Sequence, residues 1–493
     1  MELKFEDHSV QPLAAWASGQ FDGAPLGDAR RQKRLHTIGR RMAEEPGKTI
    51  PELFDRPYDV KAAYHFFDRE EVTPENIQAR HRETVRRESM RPGIYLLAED
   101  TSEIIYACRD RVEGLGSVGS GSRYLQGFHL HSTLAMRWPG GVSLRQEGNA
   151  DEKVQRPAVE ILGLADQQYY RRKRRKVEKK RRYGRRGDLE SDLWEESIHR
   201  MGPAPADGSG VCWIRVCDRG SDIFEHMSDC QKYGYGFVLR AAKNRVLEDL
   251  ETGKRCGNLF ETAQRAKPMS QFQLFLRARP GQPARTATLS IAAMKVALRA
   301  PQRLGHGPGF LPPIVCHVVR VYEPNPPPGV PPLQWVLLTD QPIETFEDVL
   351  EVVLMYSTRW VIEEFHKAIK TGCGAERLQL QTGHRLYAAI AVMALIALRL
   401  IHFREQFRVH PDAPADRSGL DALEIRIVEA KLNRKIKTVK DVALAVGRLG
   451  GHMNRKADGM PGWLTLWRGM AKLQILKAGV KLQLKLNHPT QSG

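Results

Sequence analysis

Two short apolar runs, each as long as a β-strand and each followed directly by an acidic residue, constrain the fold most. Residues 94–98 lead into Glu99 and Asp100, and residues 211–217 lead into Asp218. Runs of this length and composition predict buried strands. In open sheets with parallel strands, functional residues gather at the carboxyl ends of the strands. The sequence therefore predicts an α/β domain with both aspartates at one edge, although a single aspartate there is most often a turn or cap residue.

The charge of the chain indicates a polyanionic partner. Its 493 residues contain 76 Lys and Arg against 58 Asp and Glu, which gives a formal net charge of +18 at pH 7. Residues 171–186 hold twelve basic residues and one glutamate and so contribute +11 of this charge. A protein this basic either binds a polyanion or carries a basic segment for localisation.

The cysteine and hydrophobicity patterns argue against other classes. The seven cysteines are odd in number and form no Cys-x-x-Cys pair, which disfavours a disulfide framework and a structural zinc site. No segment reaches the roughly 18 consecutive apolar residues that span a bilayer. The longest, residues 388–401, is interrupted by Arg399 and predicts a buried helix. The first residues lack an apolar signal region, so we expect a cytoplasmic protein with no membrane partner.

The character of the sequence divides the chain into three regions. Residues 1–75 are typical of short helices. Residues 76–409 mix strands and helices, and the strands over about 237–342 are punctuated by Pro and Gly. Residues 410–419 are rich in Pro and Asp and predict a linker, and residues 420–493 are mainly helical.

A predicted helix over residues 346–370 carries four polar residues on one face. At about 100° per residue these lie within roughly 60° of one another; they are Tyr356, Arg359, Glu363 and Lys370. A carboxylate flanked by a phenol and two cations fits a phosphodiester site, in which the acid binds metal and the cations bind the strand. The alternative is a solvated face with i,i+4 pairs such as Glu363 with Lys367, and spacing alone does not separate Glu363 from Glu364.

The same four residues form a spaced signature, Tyr-(2)-Arg-(3)-Glu-(6)-Lys, which resembles that of the insertion-sequence-four family of DDE transposases. Further segments are similar to the two aspartate motifs, the DNA-end-binding helix and the C-terminal dimerisation region of that family. They are residues 99–101, 216–219, 26–35, 448–453 and 462–467. The resemblance thus extends over most of the chain.

The resemblance implies a fold and a chemistry. The fold is α/β, an RNase H-like mixed-sheet catalytic core with a β-rich insertion, flanked by N-terminal and C-terminal helical domains. Asp100, Asp218 and Glu363 would be catalytic and would hold two divalent ions, Mg²⁺ with Mn²⁺ as a substitute. Mg²⁺ prefers carboxylate oxygens and water, so no Cys or His cluster is needed.

The resemblance also implies partners and a separate role for each of the three regions. In this family a homodimer on double-stranded DNA nicks the transposon ends, releases them through a hairpin and joins the 3′ ends to target DNA. Residues 1–75 would recognise the ends, residues 76–409 would form the catalytic core, and residues 420–493 would dimerise.

The DNA contacts are assigned by the resemblance as well. The residues expected to contact DNA are Arg30, Arg31, Arg34, Arg240, Lys243, Trp335, Tyr356, Arg359 and Lys370. Trp335 would receive a base that leaves the stack during hairpin formation; the alternative is an aromatic residue buried in a strand. The tract of residues 171–186 is more basic than the family suggests, and it either gathers DNA non-specifically or reflects a charge bias without a specific role.

These patterns favour a cut-and-paste DNA transposase over two alternatives. One is a catalytically inactive or domesticated regulator that only binds DNA ends, against which the intact set of Asp100, Asp218 and Glu363 argues. The other is a metal-dependent nuclease of the same fold, against which the similarity of the two terminal regions argues.

Overall fold

The structure is a computed structural model that describes residues 13–107, 111–119, 125–140, 159–172, 189–276, 283–301, 311–455 and 458–487. These residues form an α/β fold with one mixed sheet at the centre and helices at both ends. The strands are β1 (Gly93–Ala107), β2 (Gly116–Ser117), β3 (Leu125–Trp138), β4 (Glu160–Tyr170), β5 (Val211–Cys217), β6 (Gly236–Arg240), β7 (Val246–Glu248), β8 (Arg255–Asn258), β9 (Pro268–Leu276), β10 (Arg285–Leu298), β11 (Ile314–Tyr322) and β12 (Gln334–Thr339). The helices are α1 (Leu13–Phe21), α2 (Ala29–Glu44), α3 (Ile50–Leu53), α4 (Pro57–Phe67), α5 (Pro74–Ser89), α6 (Asp192–Met201), α7 (Phe224–Lys232), α8 (Leu259–Arg265), α9 (Phe346–Thr358), α10 (Trp360–Lys367), α11 (Gly383–Val409), α12 (Ala422–Leu432), α13 (Val439–Leu449) and α14 (Trp463–Asn487).

The sheet has a parallel centre and antiparallel flanks. Its strand order is β2-β3-β1-β5-β6-β12-β11-β10-β7-β8, with β4 also paired to β3 and β9 to β10. β5 runs parallel to both β1 and β6, whereas β3 and β12 run antiparallel to the strands they flank. The parallel strands are buried because helices cover both faces of the sheet. The architecture is therefore the mixed sheet with terminal helices that the sequence predicted.

The parallel pairing of β1 and β5 brings the two aspartates together. Its register matches Glu99 with Cys217, so Asp100 and Asp218 are the next residues on neighbouring chain segments. The prediction that the first strand ends at Asp100 is wrong, because β1 continues to Ala107. The longer strand β3 pairs with nearly all of β1 and keeps it extended. Asp100 therefore lies within a strand, at the point where its parallel neighbour stops.

The strands of residues 237–342 extend the central sheet and do not form a separate one. β6 pairs with β5 through Val216 and Val238, and β12 pairs with β6 on the other side. The β-rich character of this segment agrees with the sequence analysis. The boundaries of the three domains stay a prediction.

Two apolar cores lie on opposite faces of the sheet, because side chains alternate along each strand. β1 contributes Leu96 and Ala98 to one core, and Tyr95 and Leu97 to the other. The first core contains α11, which among the described helices is the one long and apolar enough to cross a membrane. However, 72% of its most apolar stretch is buried, and it packs against α5, α2 and β4. It is the core helix that the sequence predicted.

The segment of residues 346–370 is not one continuous helix, which corrects the sequence analysis. α9 ends at Thr358, Arg359 forms a turn, and α10 begins at Trp360. The hydroxyl groups of Ser357 and Thr358 donate to carbonyl groups three residues earlier, each at 2.6 Å, and the Arg359 N–H likewise donates to the Tyr356 carbonyl. Such local bonds replace the regular i to i−4 pattern and break the helix.

The end of this segment is also irregular. After α10 the backbone widens into a π-helical turn over Ala368–Gly372, in which the Cys373 N–H donates to the Ala368 carbonyl. Gly374 then adopts φ of 71°, a left-handed conformation that glycine reaches without strain, and this residue ends the helical segment near the predicted place.

The predicted linker at residues 410–419 is packed against the C-terminal helices. Ala415 is buried, its N–H donates to the Lys437 carbonyl, and the Val439 N–H donates to the Ala413 carbonyl. These bonds connect the segment to the start of α13. Residues 410–419 connect α11 to α12, and their role as a linker between domains stays a prediction, whereas the helical character of the described residues that follow is confirmed.

Candidate active site

Asp100 and Glu363 are joined by one guanidinium group. Arg359 Nη1 lies 3.4 Å from Asp100 Oδ2, and Arg359 Nη2 lies 2.5 Å from Glu363 Oε1. The Asp100 side chain also accepts a hydrogen bond from the Thr101 N–H at 2.8 Å. The strand β1 and the helix α10 thus place two acidic residues, far apart in sequence, around a single cation.

Asp218 completes an acidic group at the end of β5. Burial, together with the negative charges of Asp218 and, to a smaller extent, Glu363, raises the pKa of Asp100 to about 6 against the opposing effect of Arg359. The Asp218 side chain itself caps a short turn by accepting the Gly220 N–H at 2.7 Å. The three carboxylates therefore share one electrostatic environment, in which one positive charge does not offset three negative charges.

The donor set fits a divalent metal ion. Three carboxylates offer hard oxygen ligands, and a nearby dication would stabilise the charged form of Asp100, which burial and the repulsion by Asp218 and Glu363 disfavour. The Asp100 and Glu363 side chains are 18% and 33% exposed, so an ion with part of its water shell has access to both. Asp218 and Glu363 thus both act electrostatically on Asp100, although the ligand atoms of the three predicted metal ligands do not all lie within 4.8 Å of one another in the described part of the chain.

The aromatic rings of Tyr356, on α9, and Trp335, on β12, lie next to each other, and that of Tyr356 also lies next to Arg359. Their ring centroids lie 5.9 Å apart, and the Arg359 guanidinium lies 5.8 Å from the centre of the Tyr356 ring. The Tyr356 hydroxyl and Arg359 Nε are buried, and neither has a hydrogen-bond partner in the described part of the chain. Buried donors are normally paired, so two orphaned donors on neighbouring side chains indicate a place for an external acceptor.

Lys370 lies on the same side but contacts other residues. Its Nζ donates to the Glu103 carbonyl at 2.8 Å and lies 3.3 Å from Glu376 Oε1. Glu376 also accepts the Ile105 N–H at 3.0 Å, so it fixes the lysine next to β1. The expectation of one continuous helical face that extends to Lys370 is therefore wrong, because the π-helical turn over Ala368–Gly372 interrupts the regular periodicity between Glu363 and Lys370.

Glu364 points away from this group and into an ion-pair network. Its carboxylate pairs with Arg404 of α11, which in turn pairs with Glu405. The sequence left open which of the two adjacent glutamates is the ligand. The structure brings Glu363 to Arg359 and Asp100, whereas Glu364 connects α10 to α11.

Arg240 and Lys243 lie at the end of β6, on the same edge as Asp218. The loop that carries Lys243 is held by Asp222, whose Oδ2 accepts the N–H groups of Ala242 at 2.7 Å and Lys243 at 2.6 Å. Asp222 Oδ1 also accepts Arg245 Nε at 2.7 Å. Sequence reasoning missed Asp222 because a carboxylate four residues after Asp218 has no pattern that distinguishes it from a surface residue.

The three arginines of α2 have different surroundings. The helix is capped by Asp28, as predicted, because its side chain accepts the Arg30 N–H at 2.7 Å. Arg30 is exposed. The other two arginines are already paired within the protein, Arg31 with Glu71 at 2.9 Å and Arg34 with Asp59 at 3.4 Å.

The basic tract of residues 171–186 lies mostly outside the described residues. Of its members, Arg171 and Arg172 are described, and Arg172 pairs with Glu190 at 2.8 Å. Its proposed contact with DNA therefore stays a prediction.

A second cluster of possible metal ligands lies behind the site, on the opposite face of β1. Ligand atoms of Glu99, Cys217 and His226, all buried, lie within 4.8 Å of one another. However, Glu99 already accepts from Arg215 at 2.7 Å and from His131 at 2.9 Å. Burial would raise the pKa of Glu99, but these two groups hold it well below its usual value. The cluster is therefore explained by a buried ion pair that connects β1 to β5.

Two models of known protein families match the chain. Residues 13–72 match the transposase DNA-binding model, and residues 214–399 match the transposase DDE domain model. The second match contains Asp218 and Glu363, while Asp100 lies before it. The chain thus carries the DNA-binding and catalytic domains of a DDE transposase, a class that binds DNA and cleaves and joins it with divalent metal ions. The DDE match also identifies the central sheet as an RNase H-like fold.

Proposed function

We propose that the protein is a cut-and-paste DNA transposase of the insertion-sequence-four family, most similar to the transposase of bacterial transposon five. The observation that carries this proposal is the contact of Arg359 with Asp100 and Glu363, with the charge of Asp218 acting on Asp100, in a chain that also has a transposase DNA-binding domain. In this proposal the enzyme nicks the transposon ends, releases them through a hairpin and joins the 3′ ends to target DNA.

The residues of the site divide the chemistry among them. Asp100, Asp218 and Glu363 would hold two Mg²⁺ ions, which supply charge stabilisation for the attacking and leaving oxygens of an in-line displacement. Tyr356 and Arg359 offer their orphaned donors to the phosphate next to the cut. The Arg359 side chain is only 11% exposed, so its charge is weakly screened by solvent and acts strongly on the phosphate.

An apolar stripe on α14 supports the proposal of a homodimer. Ile475, Leu482 and Leu486 are 67%, 59% and 65% exposed. Their spacing of seven and four residues places them on one side of the helix. Contiguous exposed apolar residues on a helix favour packing against another helix, and a second copy of α14 offers the same stripe. The paired-end complex would then contain two copies, and its DNA substrate would place it at the nucleoid of a bacterial cytoplasm.

The decisive experiment uses duplexes that carry the inverted repeats found on either side of the gene. The protein is incubated with these duplexes and a target plasmid in Mg²⁺. The molar mass of the complex is measured by light scattering. We expect nicked, hairpin and joined products, formed by a complex of two protein copies and two ends. Cleavage without joining would favour the nuclease, and end binding without cleavage would favour the inactive regulator.

Trp335 is expected to act after the first nick. Stacking of a flipped base on an aromatic ring contributes about 1–3 kcal/mol, so Trp335→Ala should let nicked ends accumulate while hairpins decline. Trp335→Phe, which keeps an aromatic ring beside Tyr356, is the matched control and should retain much of the hairpin product. Quantitative gels of a time course provide the measurement. A parallel fall in nicking and hairpin formation would mean that Trp335 only packs the strand.

Arg30 is expected to read the DNA end more directly than Arg34. An arginine that binds a guanine edge with two hydrogen bonds contributes about 1–3 kcal/mol of discrimination, and the exposed Arg30 is available for this contact. Arg30→Ala should therefore weaken binding to the cognate end and leave the melting temperature unchanged. Arg34→Ala also breaks the pair with Asp59 and should lower the melting temperature. An equal loss of affinity for cognate and random duplexes would mean that Arg30 contacts only the phosphate backbone.

A further inference from the structure

Arg359 occupies the carboxylate oxygens that a metal ion would need. Its two terminal nitrogens contact Asp100 and Glu363, at 3.4 Å and 2.5 Å. Charge-assisted bonds of this kind use the same oxygen lone pairs that bind a metal. The guanidinium and a divalent ion also carry charges of the same sign, so each disfavours the other at this place.

The surroundings of Arg359 do not provide acceptors for all of its hydrogen-bond donors. Its Nε is buried and has no acceptor in the described chain, and its contact with Asp100 is long for a charge-assisted bond. The Tyr356 hydroxyl beside it is likewise buried without a partner. A phosphate oxygen would satisfy both donors, whereas the carboxylates satisfy neither. Arg359 therefore has two alternative sets of acceptors, the acidic group on one side and an anion on the other.

The position of Arg359 in the backbone permits this exchange. It is the single residue between α9 and α10, and it ends the first helix as it begins the second. Its long side chain rotates about several bonds, so a change of partner requires no movement of either helix. Glu363 is fixed separately because the next residue, Glu364, pairs with Arg404.

We propose that Arg359 couples metal binding to DNA binding by competing with the divalent ion for Asp100 and Glu363. When the ion binds these carboxylates, the guanidinium is released to the DNA phosphate. The proposal rests on the proposed function of the site, and it adds that binding of the metal ion and binding of the DNA phosphate favour each other. Because linkage is reciprocal, the metal must then raise the affinity for DNA by the same factor as DNA raises the affinity for the metal.

The test measures Mn²⁺ binding to the full-length protein in the absence of DNA, by electron paramagnetic resonance of the free ion. Arg359→Met removes the competing charge and should tighten Mn²⁺ binding by about tenfold or more. Arg359→Gln removes the charge but keeps polar atoms, and it should tighten binding as well. Arg434→Met is the matched control, because it removes the same charge but Arg434 pairs with Asp441 and not with the acidic group. It should leave Mn²⁺ binding close to that of the parent protein.

A second measurement tests the coupling itself. With Ca²⁺ in place of Mg²⁺ to prevent cleavage, the ion should raise the affinity of the parent protein for end DNA, and this increase should largely disappear in Arg359→Met. Mn²⁺ binding that is unchanged or weaker in both Arg359 variants would overturn the inference. Asp100→Asn and Glu363→Gln separate the two levels of the proposal. If these variants retain the Mn²⁺ affinity of the parent protein, the assignment of the metal site itself fails.

Discussion

Glu363→Gln is expected to abolish nicking, hairpin formation and joining together, with rates reduced by about three orders of magnitude, because every chemical step uses the same metal ions. The amide has nearly the volume of the carboxylate but carries no charge for a metal ion. Binding to paired ends should survive, since the residues expected to read the ends lie in the N-terminal domain. Filter binding and nicking are measured for the same preparation, in Mg²⁺ and in Mn²⁺.

The adjacent glutamate provides the control. Glu364 faces Arg404 and not Asp100, so Glu364→Gln weakens an ion pair between α10 and α11. We expect it to lower the melting temperature and to leave nicking by the folded enzyme close to the parent level. Substantial Mg²⁺-dependent nicking by Glu363→Gln would remove Glu363 from the metal site. The reverse ranking of the two variants would assign the ligand to Glu364.

Arg215→Met is expected to destabilise the fold more than any loss of a surface ion pair. The variant leaves the Glu99 carboxylate buried without its cation, and breaking a buried pair in this way costs about 3–5 kcal/mol. The matched control is Arg434→Met, which removes an exposed pair with Asp441 and should cost less than about 1 kcal/mol. Urea denaturation followed by tryptophan fluorescence compares the midpoints. A shift no larger than that of Arg434→Met would contradict the structural role of the pair.

The pH dependence distinguishes an unpaired charge from a simple packing defect. In the parent protein, Arg215 and His131 outweigh burial and hold the pKa of Glu99 below its usual value of 4.5, so this pair stabilises the fold above that pH. In Arg215→Met, burial should instead raise the pKa of Glu99 above 4.5. The variant should then gain stability as the pH falls from 7 towards 5, whereas the parent protein should not. Adding Glu99→Gln should recover stability at pH 7 and remove this pH dependence.

Much of the fold could be predicted from the sequence because it depends on local patterns. The apolar run at residues 211–217 coincides with β5, and Asp28 caps α2 as its position before a helical pattern indicated. The buried helix around residues 388–401 follows from its composition and lies within α11. In each case neighbouring residues, a few positions apart, decide the outcome.

The composition of the candidate site was also accessible, but its arrangement was not. The sequence named Asp100, Asp218 and Glu363, yet it placed Asp100 at the end of a strand that continues to Ala107. It also placed Tyr356, Glu363 and Lys370 on one face of a continuous helix, whereas the chain has a break at Arg359 between Tyr356 and Glu363 and a π-helical turn that begins between Glu363 and Lys370. Helical periodicity assumes a continuous helix, and nothing in the spacing indicates that Ser357 and Thr358 interrupt it.

The sequence by itself determined which chemical groups this protein has available: three carboxylates, a phenol and several cations in segments of definite secondary structure. Only the tertiary structure decided which of them meet. Arg359 contacts Asp100 across 259 residues of chain, and Glu364 contacts Arg404 of another helix. The physical reason is that local propensities fix the direction of a side chain within one element, whereas its partner depends on the pairing of strands and the packing of helices that are distant in sequence.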